Sequence, residues 1–339
     1  MQKKLLMMFL ALVVAMSAAV FVYAEAAQGQ REGQREGRGR GEGRGQGSGR
    51  GEGQGRGSRG AAPPPPPMAI KQVKPGVYMV INGGGNSTVR VTDQGIILID
   101  TKNLGDQFYN DLMAQIKTVL QQPVKYVFIT HVHQDHAGNI GKFVQSGVQV
   151  ITNDGLKREL QSGGVDGKGY TSPAGKPAEP NVTYTKNKKV KLDGATAVAY
   201  HFGRAHTGGD TVVHLPDVKV VCLGDEFVTL PNGPNADYPN GGSVLEFPKT
   251  IAQVLKLDFD TVIPGHGNDP MTKADLVAYQ KKWDAIAKKA VELAKKGTPK
   301  DQIRQQIQAQ TPELGTWQMT AIVNDQRLDA FYDEVKNAK

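Results

Sequence analysis

Three of the chain's seven histidines fall within six residues, in His131-Val132-His133-Gln134-Asp135-His136. They follow directly on an apolar run, residues 124–130, that reads as a buried strand. Along extended chain, residues i and i+2 point the same way, so His131 and His133 can offer two imidazoles to one metal ion. Asp135 and His136 fall where the chain turns into a short helix and can point to a second, adjacent position. Imidazole with carboxylate suits zinc, and also accepts iron or manganese. Two more histidines lie in glycine-rich turns at strand ends. His206 is in Ala205-His206-Thr207-Gly208-Gly209-Asp210, and His266 is in Pro264-Gly265-His266-Gly267. Glycine there lets the backbone approach a site closely. Asp225, in Leu223-Gly224-Asp225, ends another apolar strand, where a carboxylate is costly unless paired or metal-bound. A lone histidine is usually a satisfied polar side chain, and His201 and His214 read that way. Four potential ligands in six residues do not. Cys222, in Val220-Val221-Cys222-Leu223, reads as inert core.

Around these groups the chain alternates strands and helices. Residues 73–82, 87–91 and 95–100 read as strands, with Gly83-Gly84-Gly85 joining the first two. Phe108, Leu112, Ile116 and Val119 give residues 106–121 helical spacing. Residues 148–152 form a strand after a short helix. Residues 156–181, rich in Gly, Pro and polar types, read as an irregular loop. Strands follow at 182–185, 189–192, 195–202, 211–215 and 219–223. A loop at 230–243 holds Asn232, Asn235 and Tyr238, which can contact substrate. A helix and a strand at 261–264 come next. Leu276, Tyr279, Trp283, Ile286, Ala290 and Leu293 then recur in steps of three and four, and Gly297 stops that helix. This order suits an α/β protein with two sheet layers between layers of helix.

The motif series His-x-His-x-Asp-His, a turn histidine, Gly-Asp after a strand, and Pro-Gly-His-Gly resembles the metallo-β-lactamase superfamily. The resemblance runs from about Val73 to about Gly267, and Asp100 matches the family's first motif, a buried structural aspartate. It implies an αββα sandwich with metals at one edge, followed here by a C-terminal helical extension. It implies that His131, His133 and His206 hold one metal, that Asp135, His136 and His266 hold another, and that Asp225 bridges the two. The implied cofactors are two Zn2+ ions, with Fe or Mn as alternatives. The implied nucleophile is a metal-bridging hydroxide, oriented by Asp135 as the catalytic carboxylate. Asp100 and Asp210 would steady ligand histidines from behind.

A fold of this kind does not set the substrate. The stretch from Ala205 to Val220 resembles the class B β-lactamases. Those often carry a cysteine where Asp225 stands and a lysine where Val228 stands, and that lysine binds the antibiotic carboxylate. An aspartate at 225 is more similar to glyoxalase II, the lactonases and related esterases. The expected activity is therefore hydrolysis of an ester, thioester, lactone or lactam. The alternatives are a class B β-lactamase, a one-iron persulfide dioxygenase-like oxidoreductase, and a non-catalytic metal-binding surface protein. The second ligand set, with His136 and His266, argues against one iron. A surface module has no need of all seven ligands.

The N-terminal part has a different composition. Lys3 and Lys4 precede an apolar run from Leu5 to Ala24, followed by small residues. Residues 1–24 read as a secretory signal peptide, cleaved after Ala24 or Ala26, or retained as an N-terminal anchor. The rest is then exported, to a periplasm or beyond. Residues 25–67 read as a disordered linker: an Arg/Gly/Glu-rich run, then Pro63 to Pro67 as a polyproline spacer. Eight arginines and four glutamates in residues 28–60 contribute +4 of the formal +8, so the basic balance does not argue for nucleic-acid binding by the folded part. The tail can contact a surface or polyanion. One cysteine excludes an intrachain disulfide and a four-cysteine zinc site. Residues 68–270 are left for a catalytic domain taking a small-molecule substrate, with helices at 271–339 packed on it. Deleting residues 28–67 should leave kcat/KM unchanged; a large loss would make the tail part of the catalytic unit.

Overall fold

The computed structural model describes residues 64–162 and 179–339. The signal segment, the Arg/Gly/Glu-rich run and residues 163–178 of the expected loop lie outside these. A first, seven-stranded sheet runs in chain order: β1 (Ala69–Lys74), β2 (Val77–Ile81), β3 (Ser87–Thr92), β4 (Gly95–Ile99), β5 (Val124–Phe128), β6 (Gln149–Asn153) and β7 (Val182–Tyr184). It is antiparallel from β1 to β4 and parallel from β4 to β7. Parallel neighbours need crossovers, and helices supply them. They are α1 (Asp106–Lys117), α2 (Gln134–Ala137), α3 (Ile140–Gln145) and α4 (Asp154–Gln161).

The second sheet holds β8 (Asn187–Leu192), β9 (Ala195–Tyr200), β10 (Val212–Leu215), β11 (Val220–Cys222), β12 (Thr261–Ile263) and β13 (Met271–Thr272). Helix α5 (Phe247–Val254) makes the crossover between the parallel strands β11 and β12.

Alternation along the strands sorts side chains into three apolar layers. In β4, Ile97 and Ile99 face the other sheet, where they meet Ala197, Val213 and Cys222. Ile96 and Leu98 point the opposite way, onto Leu112, Ile116 and Phe143 of the outer helices. Both faces are buried, which is why β4 reads as an unbroken apolar run. In the second sheet, Val212, Val221 and Val262 face outward onto Phe247, Ile251, Leu276 and Trp283. The result is the expected αββα sandwich. The extension continues through α6 (Lys273–Lys295), α7 (Lys300–Gln310), α8 (Met319–Ile322) and α9 (Leu328–Lys336). Thr272 and Asp275 form a capping box that starts α6. Ile303, Ile322, Phe331 and Val335 join the same outer layer. Among the described residues, no helix is long and apolar enough to cross a membrane.

Two local expectations differ from the structure. The strand expected at 73–82 is two strands, broken at the Pro75-Gly76 turn. The loop expected at 156–181 opens with α4, because the Asn153 side chain accepts the Leu156 N–H at 2.9 Å and so caps a helix. Leu156 and Leu160, one turn apart, bury its inner face.

Trp283 is fully buried and stacks on Phe247 at 3.9 Å between ring centroids. Trp283→Ala should cost about 3–5 kcal/mol, the usual range for deleting a large aromatic side chain from a core. Denaturant unfolding of the purified variant measures this; a loss under about 1 kcal/mol would mean the extension packs loosely on the sandwich.

Candidate metal centre

All seven expected ligands meet at one edge of the sandwich. His131 and His133 follow the end of β5, and Asp135 and His136 lie in α2. His206 comes from the loop before β10. Asp225 follows β11 and His266 follows β12. One ligand atom from each of His131, His133, His206 and Asp225 lies within 4.8 Å of the others. Asp135, His136 and His266 form a second such group. Asp225 lies between the groups. Its Oδ2 is 3.6 Å from His206 Nε2 and 4.0 Å from His131 Nε2. Its Oδ1 is 3.3 Å from His136 Nε2 and 3.5 Å from His266 Nε2. Gly265 allows this approach, since a Cβ there would lie 2.2 Å from Asp225 Oδ1.

The ring orientations are set from behind. His131 Nδ1 donates to Thr130 Oγ1 at 3.1 Å, whose own hydroxyl donates to Asp100. His136 Nδ1 donates to Asp100 Oδ2 at 2.8 Å. His206 Nδ1 donates to the Asn235 carbonyl at 2.9 Å, and His133 Nε2 donates to Asp237 Oδ2 at 2.8 Å. A neutral imidazole has one N–H, so each of these rings, in its neutral form, has a bare nitrogen to offer the centre. His206 Nε2 and His133 Nδ1 face each other at 2.9 Å, a gap that a proton or a shared metal ion can bridge. His131 Nε2 and Asp225 Oδ1 are buried without a hydrogen bond among the described residues. Converging ring nitrogens and orphaned buried acceptors are what a shared cation satisfies, so these residues fit divalent metal.

The electrostatics divide the two groups. Burial, reinforced by neighbouring imidazoles, holds His131 well below the ordinary histidine range and His206 down at about 4. These rings stay neutral, the form that ligates metal. At the second group burial opposes the charge, but the carboxylates win. Asp225 and Asp135 raise His266 to about 10, and Asp135, Asp225 and Asp100 raise His136 well above its usual value. Burial works against ionisation of Asp135 and Asp225 too, yet the adjacent imidazoles hold both far below the usual carboxylate range. The second group thus sets two anionic carboxylates against two imidazoles that hold protons, and a metal ion that binds there takes the place of those protons.

Of the two aspartates expected behind the ligands, Asp100 bonds a ligand ring and Asp210 does not. Both Asp210 oxygens accept the Thr207 N–H, and Oδ1 also accepts the Thr207 hydroxyl. It closes the turn that carries His206 and acts on that residue through the backbone. His201 donates to the Asp210 carbonyl and His214 to the Asp258 carbonyl, away from the centre. Cys222 is buried against Thr88, and burial pushes its thiol up to about 12. The loop candidates have structural contacts of their own. Asn235 holds His206 by its carbonyl, the Asn232 carbonyl accepts the Gln318 N–H, and Tyr238 donates to Glu334.

Sequence reading missed Asp237 and Lys102. Asp237 lies two residues past Asn235 in a polar loop, with no spacing signal to single it out. Lys102 follows Asp100 and is fully buried at φ +66°. Its Nζ donates to the Val80 and Gly85 carbonyls at 2.6 and 2.7 Å. Burial lowers it to about 7 against the pull of Asp100 and Asp135.

A family model described as the metallo-beta-lactamase superfamily matches residues 80–266. The chain belongs to that superfamily and is a metal-dependent hydrolase of it. It is 30% identical over 201 residues to metallo-beta-lactamase IND-1 of Chryseobacterium indologenes, covering 56% of this chain and 75% of that protein. The DIM-1 metallo-beta-lactamase crystal structure superposes with a TM-score of 0.54 at 18% identity, covering 65% of this chain and 99% of that one. The sec-alkylsulfatase Pisa1 from Pseudomonas sp. gives 0.64 at 20% identity, covering 79% of this chain and 50% of that one. Both structures share the fold.

Glu159 of α4 reaches under the His206 loop, where its carboxylate lies against the Gly208 and Gly209 backbone. Burial first, then Asp210 and Asp237, raise its pKa to about 8. The folded chain therefore keeps a proton that the unfolded chain releases above its ordinary value of about 4.5. Stability from this group falls as pH rises from about 4.5 to about 8. Glu159→Gln should melt with wild type near pH 4 and above it at pH 9, by thermal denaturation in chelator. Equal melting temperatures at pH 9 would place Glu159 in a less buried setting.

Proposed function

We propose that the protein is an exported, dinuclear zinc hydrolase that attacks the carbonyl of an ester, thioester, lactone or lactam. One observation carries the reading: the two oxygens of Asp225 face two separate donor sets. His131, His133 and His206 with Asp225 would hold one cation, and Asp135, His136 and His266 with Asp225 the other. A donor set of five imidazoles and two carboxylates favours zinc, while iron and manganese remain chemically compatible. When bound, the two cations supply Lewis acidity and bring the pKa of water close to neutral. Asp135 is the ligand carboxylate more open to solvent, and its Oδ2 is held 3.1 Å from His266 Nε2. Held anionic by its neighbours, it accepts a hydrogen bond from the attacking water and aims it at the carbonyl. Asp100 and Thr130 keep His136 and His131 from rotating as charge develops. Export rests on the charged and then apolar N-terminal run.

A class B β-lactamase is the second reading, favoured by the likeness to IND-1. Val228 weighs against it. That residue is buried beside His266 and offers no cation to an antibiotic carboxylate. A one-iron oxidoreductase would leave Asp135, His136 and His266 without a purpose. A non-catalytic surface protein would have no use for two facing donor sets.

The test is turnover by the mature, zinc-loaded protein on a chromogenic cephalosporin and on a panel of esters, thioesters and lactones. His131→Ala serves as control. The expected result is turnover of a panel compound that vanishes in the variant together with one equivalent of metal. Cephalosporin turnover that vanishes likewise would establish the second reading. Activity that survives in His131→Ala would overturn the site assignment.

A further inference from the structure

We propose that the C-terminal extension is a working part of the metal centre, with Arg327 acting through Asp237 to position His133. This rests on the dinuclear reading above. Asp237 is 3% exposed and its two oxygens have different tasks. Oδ2 accepts His133 Nε2 at 2.8 Å and Asn240 Nδ2 at 2.7 Å. Oδ1 faces Arg327 Nε at 3.5 Å. Arg327 stands in the turn before α9, where the Asn324 side chain accepts its N–H at 3.2 Å. A buried carboxylate that has lost the cation facing it turns toward another partner and releases the ring it holds. His133 then loses the bond that keeps Nδ1 directed at the first donor set.

A second set of contacts ties the extension to the same loop. The Ala236 N–H donates to the Ile322 carbonyl at 3.2 Å, and the Gln318 N–H to the Asn232 carbonyl at 2.9 Å. Gly233, at φ +93°, lies so close to Trp317 that a Cβ would sit 2.7 Å from its ring. Between these anchors the loop offers Asn235 O to the His206 ring, and the Asp237 N–H bonds the His206 carbonyl at 2.7 Å. Two of the three histidines of the first set are thus oriented by a loop that the extension clamps. The second set is held differently: His136 bonds Asp100 in the first sheet, and the backbone before His266 bonds Asn86 and Gly224. Through Arg327 the extension acts on one metal position.

Arg327→Met keeps the aliphatic stem and removes the charge, and Arg327→Lys restores a cation. Zinc content is measured after equilibration with graded chelator, alongside the melting temperature of each chelated protein. Wild type should hold two equivalents. Arg327→Met should keep one with wild-type affinity and bind the other about 10–100-fold more weakly, the effect typical of losing a partner behind a ligand. Arg327→Lys should recover most of the loss. His266→Ala and His131→Ala backgrounds assign the weakened position. Adding Arg327→Met should weaken zinc binding in the first background and change nothing in the second. Unchanged affinity in the His266→Ala background overturns the proposal, and so does equal weakening in both. A wild type that takes up one equivalent overturns the dinuclear reading, and the His266→Ala comparison still decides the role of Arg327.

Discussion

The structure depends on two imidazole nitrogens that point at each other. His206 Nε2 and His133 Nδ1 stand 2.9 Å apart, and each ring uses its other nitrogen on its far side. Two such nitrogens repel each other unless a proton or a metal ion lies between them. Around it, His131 Nε2 and Asp225 Oδ1 are buried and unbonded. A fold tolerates this only if the rear bonds hold firmly and the front atoms share an ion. Asp100, Asn235 and Asp237 are therefore as necessary to the centre as the ligands they hold.

The sandwich explains how these groups meet. Strands β5, β11 and β12 end at the same edge, and each releases its ligand within a few residues of its last ladder bond. Strand ends within a packed sheet are rigid, so the ligands inherit that rigidity. Asp100, at φ +64° just past β4, turns back beneath the cluster and bonds both Thr130 and His136. Lys102, two residues further, fastens the Gly83-Gly84-Gly85 connection by donating to the Gly85 carbonyl and to the Val80 carbonyl in β2. That connection presses Gly85 against the His136 ring, where any side chain would collide. The His206 loop has no strand end of its own. It borrows stiffness from the Asp210 cap on Thr207 and from the residues 230–243. The extension matters for that reason, since it packs on the outer layer and also reaches the flank of the centre that no strand end supports.

Much of this was written in local patterns. The His-x-His-x-Asp-His run, Gly-Asp at a strand end and Pro-Gly-His-Gly need no tertiary information, because ligand type and i, i+2 geometry are local properties. Alternating apolar layers and the α6 stripe were equally legible, since burial on one or two faces leaves a period in the sequence. Helix α4 was hidden because its glycine and polar residues read as loop, and its cap and two leucines are too short a signal to overrule them.

What only the tertiary structure decided is which polar residues stand behind the ligands. Asp210 and Asp237 look alike in the sequence, each an aspartate in a polar turn. Asp210 spends its oxygens on its own turn, while Asp237 meets a ring 104 residues earlier in the chain. Arg327 reaches that same carboxylate from 90 residues further on. Long-range bonds between side chains leave no period and no fixed spacing. They follow from where two sheets and an extension happen to close on one another, so the sequence names the metal ligands and the fold chooses what holds them.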